Sequence, residues 1–229
     1  MLKLDPSLIA GLPLFAGLTA PELDEFLQAG RAVHYPRDTV IFEQASAAQH
    51  FFLLLNGHVR VVRTTPDGRQ VIARYFNEGQ LFGIAVAIGR TTYPASAIAA
   101  ADCVVLAWSN SQWPEFTARF PSFAAKVYST IGDRLQETQD RVVELSTTQA
   151  EQRIAKVLLR LAQQSGRKME DGVQIGFPIT RQDIAEMTGT TLHTVSRLLS
   201  HWSRQGLVHG GRQKVTITDV NGLALIANR

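Results

Sequence analysis

Cysteine is almost missing: the 229-residue chain holds one, Cys103. A single thiol makes no internal disulfide, and one chain with one cysteine builds neither a four-thiolate iron–sulfur cluster nor a cysteine-rich structural zinc site. One class of oxidant sensor is thereby excluded. Cys103 lies in the apolar stretch CVVLAW, where burial leaves a thiol inert. Long hydrophobic runs are also lacking. The longest near the amino terminus, Leu8 to Phe15, is interrupted by Gly11 and Pro13, and it has neither the basic flank nor the small-residue cleavage site of an export signal. A cytoplasmic, soluble protein without a membrane partner is expected. No glycine-rich phosphate loop, metal-ligand spacing or close carboxylate pair stands out. His193 and Ser196 share adjacent helical turns with no carboxylate to orient the imidazole, so the expectation is a protein without catalysis.

What is present suggests two folded parts. Hydrophobic residues make up 45% of the chain, enough for two modest cores, and the net charge of +3 permits a polyanionic partner without requiring one. The distribution is more telling, because Arg181, Arg197, Arg204, Arg212 and Lys214 gather in the last fifth. From about Leu14 to Trp113, short apolar runs alternate with turn residues. HFFLLL ends at Asn56-Gly57, HVRVVR at Pro66-Asp67-Gly68, QVIARYF near Gly79, and DCVVLAW closes the series. That spacing predicts an antiparallel sandwich or roll. Ahead of it, TAPELDEFLQAG reads as a helix with Thr19 as N-cap and Gly30 at its end.

After Pro114 the period changes. Tyr128, Ile131, Leu135, Thr138, Val142 and Leu145 repeat in the 3,4 spacing of an a/d seam, with Asp133, Glu137, Asp140 and Glu144 turned outward. A long helix whose stripe meets its own copy in a second chain is expected, the alternative being a helix packed on its own β-domain. From about Thr147 a third segment begins: the amphipathic AEQRIAKVLLRLAQQSG, a hairpin on Asp171-Gly172, and two short strands around Gly210-Gly211. The fold class is α+β, divided as a β-domain over 1–113, a long helix over 114–146 and a carboxy-terminal domain over 147–229.

Within TRQDIAEMTGTTLHTVSRLL the residue types match a helix-turn-helix. Ala185 is small where two helices approach, and Gly189 follows four residues later where the turn needs a positive φ. Thr180 and Thr191 are candidate N-caps, and Val195 and Leu198 face inward. His193, Ser196 and Arg197 then form one outward patch at i, i+3 and i+4. An arginine there can bind guanine O6 and N7 bidentately, and serine can serve several bases. Thr180, Arg181, Thr191, Thr194, Arg212 and Lys214 are the candidates for phosphate contacts, which position a protein without reading sequence.

A β-roll, a dimer-type helix and a winged helix-turn-helix in that order resemble the cAMP receptor protein and fumarate–nitrate regulator (CRP/FNR) family of bacterial transcription regulators. GHVRVVRTTPDGRQVIARYFNEGQLFG resembles the family's β-roll core and FPITRQDIAEMTGTTLHTVSRLL its DNA-binding signature. The resemblance implies a homodimer on a pseudo-palindromic duplex, working with RNA polymerase under control of an effector in the roll. Phe82, Gly83, Ile84, Tyr93 and Thr138 are the positions it assigns to an effector pocket. The departures matter as much. Where cyclic-nucleotide binders carry a glutamate after Phe-Gly and an Arg-Ser or Arg-Thr pair further on, this chain has Ile84 and Tyr93-Pro94-Ala95. Cyclic AMP is therefore not expected to bind in the usual way. After these departures the chain looks most like the nitric-oxide and denitrification regulators of the family, some of which are thought to use haem, for which His34, His50 and His58 are candidate axial ligands. An apolar ligand near LFGIAVAI, or no ligand at all, are the alternatives. The recognition helix has His193 where readers of a TTGA-type half-site carry glutamate, so the preferred base facing it should change. The competing class is a ligand-binding or scaffolding module whose winged domain contacts protein.

Overall fold

In a computed structural model the described residues are 5–229, and they form two compact units: residues up to 63 with 75–137, and residues 64–74 with 138–229. The amino-terminal part opens with α1 (Ser7–Ala10) and α2 (Ala20–Ala29). Eight strands follow: β1 (Arg31–Tyr35), β2 (Val40–Phe42), β3 (His50–Asn56), β4 (Val59–Thr64), β5 (Gln70–Phe76), β6 (Leu81–Phe82), β7 (Ser96–Ala99) and β8 (Cys103–Ser109). They make two four-stranded sheets, ordered β1-β8-β3-β6 and β2-β7-β4-β5. The α2 start is a capping box in which the Glu22 carboxylate accepts from the Thr19 main-chain N–H at 2.6 Å.

After His50, FFLLL is apolar throughout because both faces of β3 are covered. Side chains alternate along a strand, and here Phe51 and Leu53 enter one core with Phe26, Trp108 and Phe123, while Phe52 and Leu54 enter another with Val59, Ala97 and Phe82. The first core lies between sheet and helices, the second between the sheets. Trp108 ties strand to helix by donating its Nε1–H to the Phe26 carbonyl at 2.8 Å.

The helical stretch after the roll is not continuous. It divides into α3 (Trp113–Arg119) and α4 (Pro121–Thr147), with Phe120 at φ −122°, ψ 73° between them. Pro121 supplies no N–H and drives its predecessor out of the helical region, so the single helix expected from residue 114 starts at 121 instead. The first turns of α4 bury Phe123 and Val127 in the roll's helical core.

In the second unit, α5 (Ala150–Ser165) is followed by β9 (Gly166–Met169), β10 (Gly172–Ile175), α6 (Arg181–Thr188), α7 (Leu192–Arg204), β11 (Val208–Gly211), β12 (Lys214–Ile217) and α8 (Val220–Ala227). The sheet runs β11-β12-β10-β9. Fully buried Ile154, Leu158, Ile184, Val195, Trp202 and Leu223 form its interior. The wing's turn falls at Arg212-Gln213, with Gln213 at φ 62°, whereas Gly210 and Gly211 belong to β11. Gly210 is needed for close approach: a Cβ there would stand 2.6 Å from the Lys214 carbonyl oxygen. Among the described residues, no helix is long and apolar enough to cross a membrane.

Candidate nucleic-acid interface

The α6–α7 turn is built by two caps and one glycine. Thr180 Oγ1 accepts from the Asp183 N–H at 3.0 Å while the Asp183 carboxylate accepts from the Thr180 N–H at 2.7 Å, closing the first turn of α6. Gly189 ends α6 in the left-handed region at φ 62°, ψ 36°. There L-residues other than glycine meet their own carbonyl. Thr191 Oγ1 then accepts from the Thr194 N–H at 3.1 Å and starts α7. Thr180, Thr191 and Thr194 thus spend much of their polarity on holding the motif.

One face of α7 is core. Val195, Leu198, Leu199 and Trp202 are buried, and Trp202 Nε1–H donates to Glu151 Oε1 at 3.3 Å. Each such side chain contributes roughly 1.5–3 kcal/mol to holding the helix on the domain. The opposite face carries exposed His193 and Arg197 with half-buried Ser196 between them. No side-chain hydrogen bond or ion pair among the described residues engages His193 or Arg197, nor Arg181, Arg204, Arg212 or Lys214. Their donors are therefore available to an external acceptor. A groove of about 420 Å³ runs between α7 and the wing, with Arg181, Arg197, Ser200, Ser203, Arg204 and Lys214 on its walls. Ser200, Ser203 and His209 also line this groove, beyond the positions singled out from sequence. His209 Nε2 lies 3.0 Å from Asp171 Oδ2, bracing the wing against the β9–β10 turn.

The helix stripe divides. Tyr128, Leu135 and Val142 are 53%, 59% and 59% exposed, Leu145 is also exposed, and Thr138 shares their outward face. Val143, outside the a/d spacing, is exposed as well. Ile131 departs from the stripe: it packs half-buried against the core of its own unit. Glu144 likewise departs from the outward row, since its Oε1 is buried.

In the roll, Phe82 and Tyr93 are buried within a stack of aromatic rings. Phe42 stacks on Tyr93 with centroids 3.8 Å apart, and Phe52 lies 5.0 Å from Phe82. The Tyr93 hydroxyl donates to the His50 carbonyl at 2.6 Å and accepts from the His50 N–H at 3.1 Å. Gly83 and Ile84 lead from β6 into a helical turn over 85–88, and Thr138 belongs to the other unit. Of the three histidines, His34 is exposed on β1, His58 Nδ1 pairs with Asn77 Oδ1 at 2.9 Å, and His50 is half-buried. Burial, aided by Arg31, holds the His50 imidazole below its ordinary pKa. Cys103 is buried, with its thiol directed to the His58 and Ala101 carbonyls, and burial pushes its pKa up.

Comparison with known proteins agrees with this architecture. Residues 32–120 match the cyclic nucleotide-binding domain, and residues 152–226 match the Crp-like helix-turn-helix domain. The chain is 30% identical over 217 residues to the cyclic AMP receptor protein of Thermus thermophilus, covering 95% of this chain and 97% of that one. It is 28% identical over 212 residues to the nitrogen fixation regulation protein FixK of Bradyrhizobium diazoefficiens, covering 91% and 88%. The solved structure of FixK2 from Bradyrhizobium japonicum shares the fold, with a TM-score of 0.76 at 23% identity over 86% of this chain and 96% of that one. These relatives are regulators rather than enzymes. With an effector-type β-roll ahead of a DNA-binding helix-turn-helix, the chain belongs to the CRP/FNR family of transcription regulators.

Proposed function

We propose that the protein acts as a homodimer that reads a pseudo-palindromic duplex and regulates transcription together with RNA polymerase in the cytoplasm. In this reading the β-roll with α3 senses, α4 dimerises beyond its buried first turns, and residues 148–229 bind DNA. The observation that carries it is the free outward patch His193, Ser196 and Arg197, held by the buried face of α7 and flanked by unpaired cations. Arg197 contacts guanine, Ser196 a neighbouring thymine or adenine, and His193 donates to an acceptor where a glutamate would accept from cytosine. Arg181, Arg212 and Lys214, with the capping threonines Thr180, Thr191 and Thr194, meet phosphates. Pairing along Tyr128, Leu135, Thr138, Val142 and Leu145 removes their apolar surface from water and sets two recognition helices about 34 Å apart.

The roll residues do not fit a cyclic nucleotide bound through a cationic phosphate site. Ile84 offers no acceptor to a ribose hydroxyl, and the buried Tyr93 ring, already stacked and hydrogen-bonded, stands where a phosphate would need a guanidinium. Regulation by another effector, with haem and nitric oxide as one candidate, belongs to the same proposal. Selection from a random-sequence duplex library at several salt concentrations tests the DNA reading. Enrichment of a two-fold-symmetric site supports it, and a winged domain that contacts protein would select nothing.

A further inference from the structure

Arg141 on α4 spends its guanidinium on main-chain carbonyls. Nη1 donates to Ala73 O at 2.6 Å, and Nη2 donates to Ile72 O at 3.1 Å and to Met187 O. The acceptors come from two distant pieces of the chain. Ile72 and Ala73 lie on β5, the edge strand of its sheet, where every second carbonyl has no ladder partner. Met187 is the penultimate residue of α6, whose last carbonyls have no acceptor role inside the helix. Arg153 on α5 completes this end by donating Nε–H to Thr188 O at 2.9 Å. Two guanidiniums therefore close the end of the first helix of the motif, immediately before the Gly189 turn that aims α7. Glu144, one turn beyond Arg141, is the nearby anion that supports its charge.

Only a guanidinium serves both acceptor groups at once, because its donors are fixed in a planar fork, whereas an ammonium is a single point. Half-buried donors left without acceptors are costly, so neither acceptor group can leave alone without loss. The tip between the strands is open to partners: Asp67, Gly68 and Arg69 are exposed. We propose that Arg141 is a positioning residue coupling the β4–β5 hairpin, residues 64–74, to the helix-turn-helix, so that an event at the hairpin and DNA engagement by α7 bias each other. By linkage the effect is reciprocal, and coupling of this kind changes an equilibrium roughly 5- to 150-fold. The inference takes its readout from the DNA-binding reading above.

Hydrogen exchange on the full-length chain, with and without its selected duplex, tests it. In the wild type the duplex should slow exchange in both 192–204 and 64–74, the latter about fivefold or more. In Arg141→Met, exchange in the free protein should accelerate together in 64–74 and at 187–190. The duplex should then protect 192–204 without protecting 64–74, and Arg141→Lys should restore one of the two regions but not their joint response. A wild-type hairpin indifferent to a duplex that protects 192–204 overturns the coupling, and this needs no variant to fold. An unchanged hairpin response in Arg141→Met overturns it too. If no duplex protects 192–204, the DNA-binding reading fails separately, and the paired acceleration in free Arg141→Met still decides the role of Arg141.

Discussion

Replacing Arg197 by alanine separates reading from holding. The side chain is exposed and makes no hydrogen bond or ion pair among the described residues. Its loss should therefore change folding stability by no more than about 0.5 kcal/mol. The cost should appear in discrimination. A bidentate arginine–guanine pair is worth about 1–3 kcal/mol against the wrong base, and a symmetric dimer uses two, so about 2–6 kcal/mol of preference is at stake. At 1.4 kcal/mol per decade this is a fall of roughly 30-fold to 10⁴-fold in the ratio of affinities for selected and scrambled duplexes. Competition binding at one fixed salt concentration measures that ratio, and a thermal melt checks that the domain is intact. A well-folded Arg197→Ala protein that ranks duplexes as the wild type does would refute the assignment of base reading to this face.

Other outcomes follow from the same geometry. Arg212→Ala should weaken selected and scrambled duplexes alike and lower the slope of log K against log salt by about 0.9 per lost phosphate contact, measured by salt titration. Leu135→Asp, at a position 59% exposed in the single chain, should convert dimer to monomer in sedimentation velocity without lowering the monomer's helix content. Gly189→Ala should cost about 1–2 kcal/mol because φ 62° is strained for an L-residue, seen as a lower melting temperature. His50 has its pKa depressed mainly by burial, so unfolding takes up a proton in the window between its folded pKa and the ordinary 6.5. Its contribution is fully present above about pH 6.5 and is lost as pH falls toward the folded value. Melting curves should decline across that window in the wild type and less so in His50→Gln.

Local signals carried well into the structure. The Thr19, Thr180 and Thr191 caps, the Gly189 turn and the alternating burial of β3 all depend on residues within a few positions of one another, which sequence displays directly. Periodicity was less discriminating. A 3,4 stripe marks one apolar side of a helix but not what covers it, and Ile131 is covered by its own unit. The break at Pro121 was visible as a proline but subordinate to the pattern around it, and Gly210-Gly211 looked like a turn because close strand approach and turning favour the same residue. Arg141 was silent. Its partners are carbonyls, which every residue possesses, brought near by tertiary folding from positions 68, 69 and 46 residues away. The packing of Tyr93 on Phe42 was equally remote from any local pattern.

The sheltered thiol has a practical side. With Cys103 fully enclosed and its proton affinity raised, the native chain leaves maleimide chemistry with little to attack. A cysteine introduced in place of Arg69, at the exposed hairpin tip, would then be the sole fast-reacting group. Probes for fluorescence or spin labelling could be installed there without first stripping the background.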